Sequence, residues 1–185
     1  SILSSKSFSN MQTDFDVLAQ ALSQHCAQAC EKLRDQSLTT EHLSIFIQTN
    51  RHRHDLPSYN PTFALKLIHP TDDIRVITSE AKRSLKKIFK PGFHYKKVGI
   101  LLDHLKQKNA GSYQYDLLDN ITEASLAQTE QLLSVLDRIN QKFGRHTVKL
   151  AATGQGKPWI TTPSILCSPC YTTRWSDLPV VKNLT

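Results

Sequence analysis

Pro70-Thr71-Asp72-Asp73-Ile74-Arg75-Val76-Ile77-Thr78-Ser79-Glu80-Ala81-Lys82-Arg83-Ser84-Leu85-Lys86-Lys87-Ile88-Phe89-Lys90-Pro91-Gly92 is the stretch that decides the fold. Ile74, Ile77, Ala81, Leu85, Ile88 and Phe89 recur at helical steps and form one apolar face. Pro70-Thr71-Asp72 opens this helix, Asp72-Asp73 complements its dipole, and Pro91-Gly92 ends it. Downstream, residues 94–103 form a strand with Val98, Ile100 and Leu102 inward. Upstream, 62–68 alternates Phe63, Leu65 and Leu67 against Ala64, Lys66 and Ile68, a second half-buried strand.

Working outward, a loop from Asn50 to Asn60, rich in Arg, His, Pro and Asn, leads back to an alternating strand over 42–49. Leu43, Ile45 and Ile47 take one side of it; Ser44, Phe46 and Gln48 take the other. Before it, Phe15, Leu18, Leu22, Cys26, Ala29 and Leu33 mark a helix capped by Thr13-Asp14 and ending near Arg34. Residues 4–9 read as a short polar strand. The order β-α-β-β-α-β over residues 1–108 is the ferredoxin-like split βαβ arrangement of an α+β fold, with two helices on one sheet face. The open face then displays Ser7, Ser44, Phe46, Gln48, Ala64, Lys66, Lys97 and Gly99. A mid-strand glycine there lets a backbone approach closely, and a phosphate chain suits the basic surroundings.

Charge is uneven along the 185 residues: residues 1–108 carry net +6 and 109–185 net +1. Eight basic residues and one acid, Glu80, fall between 75 and 97. Such concentration points to a polyanion, most often nucleic acid, although a solvated helix face also explains charge runs. No apolar run is long enough to span a membrane and no signal peptide is visible. Four cysteines without a secretory signal fit a reducing, cytoplasmic compartment. The absence of an initial Met suggests a fragment.

Residues 109–122 form a linker in which Gln114 precedes Asp116, Leu117 and Leu118. A Gln amide followed by adjacent leucines suits peptide capture, although the leucines equally suit a helix start or local core. Residues 123–185 form a small α/β annex. Leu132, Leu136, Ile139 and Phe143 mark its helix, Gly144 the cap, and Val148, Leu150 and Ala152 a strand. Thr153 to Thr185 reads as turns, and an annex this small is expected to dock on something. Cys167-Ser168-Pro169-Cys170 has metal-ligand spacing but lacks a second ligand pair, and Cys26 and Cys30 read as buried small side chains. No nucleophile–base arrangement or phosphate loop is present, and Gly154-Gln155-Gly156 is too weak for one.

Lys87 to Ile100 (Lys-Ile-Phe-Lys-Pro-Gly-Phe-His-Tyr-Lys-Lys-Val-Gly-Ile) resembles the last helix and strand of the little-finger domain of Y-family translesion DNA polymerases. Ala29-Cys30-Glu31-Lys32-Leu33-Arg34 is similar to the end of its first helix. Asp137-Arg138-Ile139-Asn140, Phe143-Gly144, Gly154-Gln155-Gly156, Trp159 and the run Ser168 to Trp175 resemble the C-terminal extension of the UmuC-type members, the catalytic subunits of bacterial DNA polymerase V. The likeness runs in order from Ser4 to Val181.

The resemblance implies a DNA-gripping little finger, a β sliding-clamp peptide at Gln114, Asp116, Leu117 and Leu118, and palm, fingers and thumb upstream. The palm is expected to hold Mg2+ on carboxylates, and this fragment is expected to have no catalytic centre, cofactor or metal of its own. UmuD-type subunits and RecA are the further partners implied, in an SOS mutagenesis and DNA-repair role at the bacterial nucleoid. Lys96 and Lys97 match phosphate-holding positions, with Lys6 and Ser7 as first-strand counterparts. Gly99 and Lys66 join them on the open face, and Arg51 and Arg53 in a loop read equally as phosphate contacts or plain exposure. Lys82, Arg83, Lys86, Lys87 and Lys90 sit behind the sheet and face solvent. Two departures stand out: the clamp peptide commonly ends in Leu-Phe, here Leu-Leu, and Leu101 stands where a basic residue is common. The competing readings are a stand-alone protein–protein adaptor without DNA binding, and an enzyme using Cys167 and Cys170.

Overall fold

The computed structural model describes residues 1–53, 55–108, 123–144, 146–154 and 175. Its strands are β1 (Ile2–Gln12), β2 (Leu38–Thr49), β3 (Thr62–Thr71) and β4 (Tyr95–Gln107); its helices are α1 (Phe15–Asp35), α2 (Ile74–Ile88) and α3 (Glu123–Phe143). The sheet order is β1-β4-β2-β3 with every neighbour antiparallel. β4 therefore lies between β1 and β2, and β2 between β3 and β4, so both βαβ units are split. α1 packs on β1 and β4, α2 on β2 and β3, and the two helices pack on each other.

The helices start where short acids free the first amides. Asp14 accepts the Asp16 N–H at 2.9 Å and Asp73 accepts the Arg75 N–H at 2.8 Å. Asp73, rather than Asp72, is thus the cap of α2. The core between the helices and the sheet joins Leu18, Leu22, Leu33, Ile77 and Leu85 to Leu43, Ile45, Ile47, Val98, Ile100 and Leu102, all fully buried. Cys26 and Cys30 lie within it as free thiols. Burial pushes Cys26 up to about 12 and Cys30 well above its ordinary value, so both stay protonated and unreactive.

One polar cluster ties β1 to α1. Ser4 Oγ lies 3.0 Å from His25 Nδ1 and donates to Gln28 Oε1 at 3.1 Å. Burial lowers His25 to about 4; the Gln28 hydrogen bond opposes the shift and Lys6 adds to it.

The C-terminal helix lies differently from its apolar pattern. Leu133 is buried in the core cluster, whereas Leu132 is 52 % and Phe143 66 % exposed. The expected face of Leu132, Leu136, Ile139 and Phe143 is therefore turned partly away, because polar anchors set the rotation. Asp137 takes a two-pronged hydrogen bond from Arg34, Nε to Oδ2 at 2.5 Å and Nη2 to Oδ1 at 2.8 Å. Lys108 bridges Asp72 at 3.0 Å and Glu130 at 2.7 Å, and Arg75 reaches Thr129 at 3.1 Å. Burial alone would lower Arg34, but Asp137 outweighs it and holds the guanidinium above its usual range.

The strand expected over Val148, Leu150 and Ala152 does not form. Residues 146–150 carry no strand, and a 3-10 turn occupies Ala151–Thr153. The Asn140 side chain takes the ladder's role, accepting the Val148 N–H at 2.9 Å and donating to the Val148 carbonyl at 3.0 Å. Gly144, at φ 105°, closes α3 as the left-handed residue the sequence requires there.

Gly99 has a neighbour inside the protein. The Phe46 ring lies across it from β2, and a methyl group at Gly99 would overlap both Phe46 Cζ and Ser5 Cβ. Gly99→Ala is expected to destabilise the fold by about 1–3 kcal/mol. Combining it with Phe46→Ala should cost less than the two single changes added, read by urea unfolding.

His25 gives a pH prediction. Its folded pKa lies below the unfolded one, so its contribution is intact above pH 6.5 and is lost as pH falls toward about 4. At about 1.4 kcal/mol per pH unit, the loss approaches about 3 kcal/mol. Melting temperature measured across that window should fall for the parent and fall less for His25→Asn; parallel curves would contradict the assignment.

Candidate nucleic-acid interface

Antiparallel partners share a sheet face, so the register fixes what the uncovered side displays. Across it run three rows: Ser7–Lys97–Gln48, then Ser5–Gly99–Phe46–Thr62, then Leu3–Leu101–Ser44–Ala64, with His42 and Lys66 paired beyond them. Every residue expected on the open face is there. Among the described residues no helix packs on this side, since α1 and α2 cover the opposite one.

Lys97 and Lys66 are the lysines that the register places in these rows. Lys97 Nζ stands 5.7 Å from the centroid of the Phe46 ring. Phe46 thus fills the space above Gly99 and flanks the ammonium. The sequence showed Phe46 on the face without showing either contact, since both need the cross-strand register.

Other residues named from the sequence are placed elsewhere. Lys6 pairs with Val98, a core residue, so its side of β1 is the helix side, and its charge is felt by His25. Ser7, one residue on, is the β1 residue beside Lys97. Lys96 sits at a break in both ladders flanking β4, and its Nζ donates to the Ser9 carbonyl at 3.0 Å. It therefore lies at the rim toward β1. Arg53 is paired with Asp55 at 2.6 Å, while Arg51 is exposed in the same loop. Gln114, Asp116, Leu117 and Leu118, and also Cys167 and Cys170, lie outside the described residues.

The sequence reading missed two features of the open face. Asp103 faces His42 across β4 and β2 and adds a carboxylate near Lys66. The His42 and His104 rings lie 4.0 Å apart, with His104 at φ 50° and its N–H donated to Asp103 Oδ1 at 2.9 Å. Only the β2–β4 register and the turned backbone at His104 bring these rings together. Among the described residues no group of three His, Cys, Asp or Glu is arranged to hold a metal ion, and no helix is long and apolar enough to cross a membrane.

The surface can hold a phosphate backbone without reading bases. Its phosphate-holding groups are the Lys97 and Lys66 ammoniums, serine and threonine hydroxyls and the Gln48 amide, spread over about three strand spacings of about 4.8 Å, with the Asp103 carboxylate beside His42 as the opposing charge.

Residues 1–117 match the impB/mucB/samB family C-terminal domain, and residues 130–181 match a domain of unknown function (DUF4113). The chain is 36% identical to Protein UmuC of Salmonella typhimurium over 98% of its length and 42% of that relative. It is 34% identical to Protein SamB of the same organism, again over 98% of this chain and 41% of the relative. It thus spans about two-fifths of the curated relatives it matches. Among solved structures, the insertion ternary complex of Dbh DNA polymerase aligns at a TM-score of 0.44 and 15% identity, covering 55% of this chain and 28% of that one. The chain belongs to the impB/mucB/samB family and corresponds to the C-terminal part of a UmuC-type Y-family polymerase.

Proposed function

We propose that this chain is the non-catalytic, DNA-holding and clamp-docking portion of an error-prone translesion DNA polymerase acting in the SOS response. The observation that supports this most is the uncovered polar sheet face centred on Ser7, Lys97 and Gln48, with Lys66 beyond. Cations and small donors without paired base-edge readers suit an enzyme that moves over any sequence. Nucleotidyl transfer with Mg2+ belongs, on this reading, to the palm of the whole polymerase. UmuD-type subunits and RecA act through that whole protein in the bacterial cytoplasm. Residues 109–122 supply the clamp peptide: Gln114 anchors in a polar notch, Leu117 and Leu118 fill an apolar pocket, and Asp116 favours the bent bound shape. Leu118 fills less space than the commoner Phe, so affinity is modest. Clamp and DNA contacts then reinforce each other through effective concentration.

Replacing Lys66 and Lys97 with Ala should weaken duplex binding equally for unrelated sequences. The log–log salt slope should become shallower by about 2, near 0.9 per lost phosphate contact. Fluorescence anisotropy across a salt series reads this; a loss confined to one sequence would indicate base readout, and no loss would remove the open face from the reading.

The clamp assignment has a separate test. Gln114→Ala, Leu117→Ala and Leu118→Ala together should cost about 2 kcal/mol or more of sliding-clamp affinity by calorimetric titration and leave DNA affinity unchanged. Unchanged clamp affinity, or an unfolded variant, would assign the leucines to a structural core.

A further inference from the structure

The fold divides the basic run of the sequence between two surfaces. Lys97 lies on the open face, whereas Lys86, Lys87 and Lys90 lie on α2 and the turn after it, behind the sheet. Arg75 and Arg83 are paired with Asp73 and Glu80. Among the described residues no carboxylate pairs with Lys86, Lys87 or Lys90. Two of these ammoniums are held by rings instead: Lys87 Nζ is 4.7 Å from the Phe63 centroid and Lys90 Nζ 4.6 Å from that of Tyr59. A ring face orients an ammonium without cancelling its charge.

The supporting rings are themselves fixed. The Tyr59 hydroxyl donates to the Ile88 carbonyl at 2.9 Å. The Tyr95 hydroxyl accepts the Lys90 N–H at 3.0 Å and donates to the Lys90 carbonyl at 2.9 Å. Tyr95 is the first residue of β4 and precedes Lys96 and Lys97. The end of α2 is thereby fastened to the start of β4, so the lysines on either side of this tie make up a strip at that end of the sheet. Lys97 is on the open face, Lys96 at the rim, and Lys90, Lys87 and Lys86 on the helix side.

We propose that this strip carries single-stranded DNA leaving the duplex held on the open face. The proposal rests on the DNA-holding reading of that face. A duplex, with a persistence length of about 150 base pairs, is too stiff to turn around the end of a four-stranded sheet. A single strand follows such a path, and unpaired cations hold its phosphates whatever the sequence.

The test uses the 185-residue chain and its Lys86→Gln, Lys87→Gln, Lys90→Gln variant, which keeps much of the apolar stems of residues 87 and 90 over the Phe63 and Tyr59 rings. Two labelled probes share one duplex: a blunt form, and a primer–template with a long single-stranded template overhang. The variant should lose affinity for the overhang probe, with a salt slope shallower by about 2, near 0.7 per single-strand phosphate. Blunt-duplex affinity should be unchanged, and circular dichroism should match the parent. Lys97→Gln, run alongside, should weaken both probes. Equal loss on both probes by the triple variant would make the strip a duplex contact and overturn the proposal. No loss by the triple variant while Lys97→Gln weakens both would overturn it and leave the open-face reading standing. Failure of the parent chain to bind either probe would overturn both. Intact DNA binding with loss of an acidic protein partner would assign the strip to protein and also overturn the proposal.

Discussion

Two helices can cover one face of a four-stranded sheet, and the opposite face must then be made fit for water or for a partner. Everything distinctive here follows from that constraint. The covered side is closed by fully buried leucine, isoleucine and valine. The uncovered side carries serines, Gln48, Lys97 and Lys66, with one large ring, Phe46, laid over Gly99. That ring limits how much sheet is exposed at the centre of the face. Glycine is needed there for a neighbour within the protein, rather than for a visiting backbone as the sequence had suggested.

The open face was legible in the sequence because strand alternation has a period of two and the helical faces say which side is inward. What alternation alone could not supply was the partner of each residue. Lys6 and Ser7 are neighbours in sequence, yet the register sets one with Val98 on the helix side and the other with Lys97. The His42–His104 pair arises from strands sixty-odd residues apart and a left-handed backbone at His104. Likewise the basic run from 75 to 97 reads as one feature in sequence. The turn at Pro91-Gly92 folds it into a helix behind the sheet and a strand within it.

The C-terminal helix shows a different limit. Its apolar spacing predicted one face and the structure uses another, because Arg34 at the end of α1 is largely buried and draws Asp137 from 103 residues away. Leaving a desolvated guanidinium without a carboxylate costs several kcal/mol, about what one or two buried leucines return. The ion pair therefore competes on equal terms with the apolar stripe for control of the rotation, and Leu133 completes the contact. Leu132, Val135 and Phe143 are left exposed as the consequence. A hydrophobicity pattern cannot register a partner that distant.

These anchors also give the domain two unlike ends. β4 begins at Tyr95, beside the lysine strip, and leads to Lys108, which is bound to Asp72 and Glu130 at the other end of the sheet. At about 3.3 Å per residue, those ends stand roughly 40 Å apart. Residues 109–122 start from the second end, with Lys108 already joined to α3 on their far side. α3 is fastened through Arg34 and Lys108 to the helix side of the sheet. On the proposed function, DNA contact by the open face and clamp tethering by residues 109–122 use different residues of the chain, so two weak contacts can add through effective concentration.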